Sequence, residues 1–172
     1  MPVDSFGKHG PRKGDYPGFL GYEKIATKGP FKGKLVKHNG SDYQVRANTP
    51  VYPVKAGTVA YYADNVPGFG GYGKPGPAMW VEHLDKSDKP FFVLYGHMKS
   101  AKVKDEDGQP RNLKKGDKVF PDIEIGSIIT YENCDHLHLG VYIAPILYGM
   151  GLSPDPVAEK WKDPDIWLPE NI

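Results

Sequence analysis

Apolar and polar positions along the chain fall into short alternating runs divided by turn residues, the signature of strands rather than helices. Val51-Tyr52-Pro53-Val54 precedes a β-branched and aromatic run, residues 57–62, which predicts a strand. Residues 78–83 and 91–97 predict two more, and the polar stretch 85–90 between them predicts a hairpin. Residues 114–119 place a turn just before another strand, and residues 124–129 continue the pattern. Residues 137–143 are the clearest strand of all. Alternate side chains of a strand share a face, so His136 and His138 point one way while Leu137, Leu139 and Val141 point the other. Residues 68–77 hold five glycines and two prolines and predict a loop. Residues 157–161 suit one helical turn or a short helix. No heptads appear, and strands do not alternate with helices. The reading is an all-β protein, mainly antiparallel sheet, with little helix.

The same texture divides the chain. Residues 1–30 are rich in Gly, Lys and Pro and read as an irregular N-terminal arm; residues 31–150 form the domain; residues 151–172 are a C-terminal tail expected to pack on it. The 21 glycines and 17 prolines among 172 residues exclude a fold of long helices. One domain of this size buries a core without staples, and the single cysteine, Cys134, rules out an intrachain disulfide. With 22 Lys and Arg against 21 Asp and Glu, the net charge of +1 argues against binding nucleic acid or a membrane surface by bulk charge. No apolar run reaches the roughly 18 residues that a spanning helix needs. Met1 to Ser5 show no apolar signal core, so an exported form would have lost its leader or left by another route.

Six histidines are present, and two of them make the first candidate site. A strand whose leucine face is buried holds its histidine face rigid, and neutral imidazole is a common zinc ligand. His-x-His fits an exposed polar face equally well. A second cluster, His38-Asn39-Gly40-Ser41-Asp42, sets an imidazole and a carboxylate four residues apart around a glycine turn. A third, Tyr95-Gly96-His97, ends an apolar strand. Each of these alone is ordinary. His83 reads as a surface or supporting residue, and Trp80, Phe92 and Tyr95 as core aromatics.

Taken in order, the clusters resemble a family. His38 to Asp42 is followed by Thr49-Pro50-Val51-Tyr52-Pro53, Gly57-Thr58-Val59 and Gly70-Gly71-Tyr72-Gly73. Trp80-Val81-Glu82-His83, Tyr95-Gly96-His97-Met98, Lys115-Gly116-Asp117-Lys118-Val119, Ile125-Gly126 and His136-Leu137-His138 complete the series. Over about residues 35–145 the chain resembles the zinc endopeptidases of the lysostaphin and LytM type, peptidase family M23.

That resemblance implies a LytM/lysostaphin-like fold and one Zn²⁺ per chain, held by His38, Asp42 and His138. It implies His97 and His136 as the catalytic pair, bacterial peptidoglycan peptides as substrate, and a monomer secreted or placed in the periplasm or cell envelope. Three protein ligands leave a fourth position for water, as a catalytic zinc site requires. The two remaining histidines suit proton transfer, since no H-E-x-x-H motif supplies a glutamate. Leu139 and Gly140 stand where the family commonly has an aromatic residue and Glu. Cys134 and Asp135 replace the small residues that usually precede the first strand histidine, and Cys134 would share the histidine face if the strand extends back. Two other classes are weighed. A catalytically silent wall-binding or amidase-activator domain would lack a ligand, and this sequence has all three. A biotinyl or lipoyl carrier needs a lysine at a hairpin tip, and Lys99 lacks the usual flanks.

Overall fold

A computed structural model describes residues 39–70, 74–130, 135–144 and 160–172. The irregular arm, His38 and Cys134 therefore lie outside the described residues. The main sheet is assembled from β1 (Ser41–Gln44), β3 (Gly57–Val66), β4 (Gly76–Leu84), β5 (Pro90–Gly96), β9 (Lys118–Val119) and β11 (His136–Tyr142). Its order is β1-β11-β5-β4-β3-β9, every pairing is antiparallel, and β12 (Trp161–Lys162) pairs with β11 off that path. A three-stranded sheet orders β2 (Pro50–Val51), β10 (Gly126–Ile128) and β6 (Met98–Ser100), and β7 (Lys102–Lys104) pairs with β8 (Pro110–Asn112). One helix, α1 (Pro164–Asn171), closes the chain. The expected all-β, mainly antiparallel architecture is what the protein has.

Period two sorts the main sheet into two faces. Met79, Val81, Val93, Tyr95, Leu137, Leu139 and Val141 point to one side, where Val51, Met98, Ile125 and Ile128 of the smaller sheet complete the larger core. Ala78, Trp80, Phe92, Leu94 and Tyr142 point to the other, where they pack with Val66, Phe69 and Trp161. The predicted hairpin is β4–β5, with Val81 opposite Val93. Asp85 fixes its turn by accepting from the N–H groups of Ser87 at 2.7 Å and Lys89 at 3.0 Å, an Asx turn.

Three local expectations are corrected. Gly76 and Pro77, read as loop, already belong to β4, which starts on a residue that needs no side-chain space. Of the helical turn read over residues 157–161, residues 157–159 lie outside the described residues and Trp161 is in β12; α1 follows, with the Asp163 side chain accepting from Asp165 N–H and Pro164 opening the first turn. His83, read as surface or supporting, is 1% exposed and lies on the larger-core face with Met79 and Val81, away from His136 and His138. Trp80, Phe92 and Tyr95 are buried core aromatics as expected. Among the described residues no helix is long and apolar enough to cross a membrane.

Candidate active site

On the face opposite the larger core, one row crosses four strands. Asp42 on β1 stands opposite His138 on β11, His138 opposite Gly96 on β5, and Gly96 opposite Ala78 on β4. Directly opposed side chains on one sheet face are neighbours, so the register alone brings residues 42 and 138 together across 96 positions of sequence. His138 Nδ1 lies 3.1 Å from Asp42 Oδ1, and His136 Nε2 lies 3.7 Å from the same oxygen. All three side chains are buried, so the expected histidine face is no solvated surface.

Glycines make room for this arrangement. A Cβ at Gly40 would lie 2.9 Å from His138 Nε2 and 2.3 Å from the Leu139 carbonyl oxygen. A Cβ at Gly96 would lie 2.3 Å from the ring of Phe69. Neither site accepts even an alanine without displacing its neighbours. Gly140, one step further along the histidine face, leaves space for Trp161, whose ring would meet a Cβ there at 2.8 Å.

His97 arrives from a different direction. It sits between β5 and β6 in the left-handed region, at φ 58°, which turns the chain from the main sheet to the smaller one. That conformation costs a non-glycine residue on the order of 1–3 kcal/mol, and such outliers cluster at functional sites. The turn carries the His97 ring to 4.3 Å from that of His136 and 6.3 Å from that of His138, centroid to centroid. His97 Nδ1 lies 2.9 Å from the Phe69 carbonyl oxygen. Burial holds the His97 pKa well below the usual histidine value; charge on His136 and His138 acts in the same direction, and Asp42 and the Phe69 carbonyl only partly oppose it. His97 is therefore a neutral imidazole at neutral pH.

Asp42, His97, His136 and His138 thus come together, and His38 lies outside the described residues. Among the described residues no three His, Cys, Asp or Glu side chains form a complete metal centre. The Asp42–His138 pair nonetheless suits two zinc ligands: bonds of ~2.0–2.1 Å at tetrahedral angles put ligand atoms about 3.3 Å apart, close to the 3.1 Å seen.

The sequence model described as Peptidase family M23 matches residues 36–148, well over half of the chain. The chain belongs to this family. A search of curated protein sequences gives no significant match. Among solved structures, the M23 chain is similar to the catalytic domain of the antimicrobial peptidase lysostaphin from Staphylococcus simulans, at 19% identity and TM-score 0.56, covering 87% of this chain and 90% of that one. LytU is similar at 19% identity and TM-score 0.53, covering 92% and 90%. These likenesses show the fold. Csd3 of Helicobacter pylori matches at 22% identity and TM-score 0.47 over 78% of this chain, which spans 31% of Csd3; the chain spans 48% of full-length lysostaphin.

One residue of this M23 site was missed in the sequence. Phe69 lies in the glycine-rich loop, and its ring packs 5.3 Å from His97 and 5.5 Å from His138. Its signal is faint: one aromatic residue between glycines, paired with a glycine at position 96 that precedes a histidine.

Proposed function

We propose that the protein is a zinc-dependent endopeptidase that hydrolyses peptide bonds of bacterial peptidoglycan, in a stem peptide or cross-bridge. One observation carries this reading: Asp42 and His138, opposed across β1 and β11, meet at 3.1 Å with His136 and His97 packed beside them, in a chain of a peptidase family. His38, Asp42 and His138 hold the metal. A zinc ion held by these residues would supply Lewis-acid polarisation of a scissile carbonyl and activation of water at neutral pH. One carboxylate among three ligands leaves the site positive and able to stabilise a developing oxyanion. His97 and His136 take up and return the proton that amide hydrolysis moves. The protein acts as a monomer at the cell envelope, with residues 31–150 as the catalytic domain, residues 1–30 as an arm and residues 151–172 as a tail packed on the domain.

Digestion of purified peptidoglycan with and without a chelator, followed by mass analysis of the released fragments, tests activity, metal need and bond together. Fragments that vanish with chelator are the expected result; intact walls under both conditions would reject the reading. His138→Ala is expected to lose both zinc and hydrolysis. His97→Ala is expected to keep zinc and lose roughly 10²-fold or more in turnover, and cleavage at the parent rate would remove His97 from the pair.

A further inference from the structure

The loop between β3 and β4 is closed by its own backbone: Phe69 N–H donates to Val66 O at 3.3 Å, and Gly70 N–H to Lys74 O at 2.8 Å. Where it closes, two segments cross without room for side chains. A Cβ at Gly70 would lie 1.8 Å from the Pro75 carbonyl oxygen, and one at Gly76 would lie 2.1 Å from the Phe69 carbonyl oxygen. The Phe69 carbonyl is therefore pressed against Gly76, and this same oxygen meets His97 Nδ1 at 2.9 Å. The Phe69 ring fills the space left by Gly96 and lies against both His97 and His138. His97, strained at φ 58°, is held from its backbone as well, since its carbonyl accepts from Ile129 N–H at 2.9 Å.

We propose that Phe69 is a positioning residue for the reaction: its carbonyl fixes the His97 tautomer with the proton on Nδ1, and its ring, seated over Gly96, sets the tilt of the imidazole. The inference rests on the reading of His97 as one of the catalytic pair. The opposite tautomer would aim the Nδ1 lone pair at a carbonyl oxygen, which repels it. With Nδ1–H committed to Phe69, Nε2 carries the lone pair that accepts a proton. Water gives that proton to Nε2 as its oxygen bonds to the scissile carbon; the C–N bond then breaks, and the amine nitrogen takes the proton back from Nε2. The Nδ1–H bond to Phe69 persists through both states, so the ring keeps its orientation while it gains and loses charge.

Imidazole ¹⁵N NMR of the full chain near neutral pH reads the tautomer directly. The expected signature for His97 is Nδ1 protonated and Nε2 unprotonated. Gly76→Ala, which pushes the Phe69 carbonyl without touching any histidine, is expected to mix the tautomers and lower kcat about tenfold, with KM and zinc content unchanged. Phe69→Leu, which keeps an apolar filler over Gly96, is expected to lower kcat several-fold by releasing the ring tilt, and it serves if Gly76→Ala does not fold. A parent His97 protonated on Nε2, or folded variants with parent tautomer and parent kcat, would overturn the proposal. Failure of the underlying reading looks different: His97→Ala would hydrolyse at the parent rate and take the catalytic role of Phe69 with it, while the parent chain still showed the His97 tautomer signature.

Discussion

His83 and His138 lie on opposite faces of one sheet, and burial meets each with different neighbours. His138 faces the Asp42 carboxylate, whereas His83 packs against the Phe91 ring, with Nδ1 3.1 Å from the Ala56 carbonyl oxygen. His83 Nε2 finds no hydrogen-bond partner among the described residues. Burial pushes the His83 pKa down to about 4, with nearby Lys55 adding to the shift and the bond to Ala56 opposing it. The sign follows. Between about pH 6.5 and pH 4 the unfolded chain binds a proton at this position that the folded chain refuses, so stability falls as pH drops through that window and is unaffected above it. The full loss is on the order of 3 kcal/mol at the low end. His83→Gln can still donate to Ala56 but does not titrate, so urea unfolding at several pH values should show a shallower decline between pH 6.5 and 4. An unchanged decline would assign the acid sensitivity to other groups. Residues differ in how far their sequence context betrays them. His136 and His138 were legible because strand periodicity puts them on one face. The burial of His83 was not, because Trp80-Val81-Glu82-His83 does not say which face of the strand meets the larger core.

At the scale of elements, β1 is four residues long, lies at a sheet edge and carries Asp42, so the packing that holds it bears on the site. The Asp165 carboxylate of α1 braces it from the larger-core side. Tyr43 Oη donates to Asp165 Oδ1 at 2.5 Å and Ser41 Oγ to Oδ2 at 3.3 Å, so the two residues flanking Asp42 are tied to one group. Burial, reinforced by the Asp165 bond and charge, pushes the Tyr43 hydroxyl pKa up, so it stays a donor. Hydrogen bonds to a charged acceptor contribute ~1.5–3 kcal/mol each, and these two, half-buried and one of them 3.3 Å long, fall at or below the lower end. Asp165→Ala should therefore lower unfolding free energy by about 2–3 kcal/mol and weaken zinc binding through Asp42. Tyr43→Phe should cost about half as much. Denaturant melts and chelator competition separate the two effects, and a variant with parent stability would deny the brace. This matters because the family match ends at residue 148 and α1 lies beyond it. The start of α1 is written in the sequence as Asp163-Pro164, a cap followed by a first-turn proline, a stronger signal than the mixed Lys160-Trp161 stretch before it. Strands rich in β-branched and aromatic residues were legible, because burial on one face needs the alternation that reveals them.

For the whole molecule, the larger core and the site share one sheet and occupy its two faces, so burial of Leu137, Leu139 and Val141 fixes the histidines beside them. Strand order was the part hidden from the sequence. The β11–β5 and β1–β11 pairings are long-range, and only the family resemblance, not local pattern, brought Asp42 and His138 into one site. That long-range closure predicts how metal acts on the fold. The proposed ligand pair on β1 and β11 is assembled only when the sheet is formed, so zinc held there would bind the folded chain and stabilise it by mass action. At free zinc about 100-fold above Kd the gain is ~2.7 kcal/mol, which for a chain of this length raises Tm by roughly 5–10 °C. Scanning calorimetry of the full chain with zinc and with chelator should show that shift near neutral pH. Asp42→Asn and His138→Ala should abolish it, since each removes a proposed ligand, whereas His97→Ala should retain it. A zinc-dependent Tm shift that survives in His138→Ala would place the ion elsewhere on the protein and separate the Asp42–His138 contact from metal binding altogether.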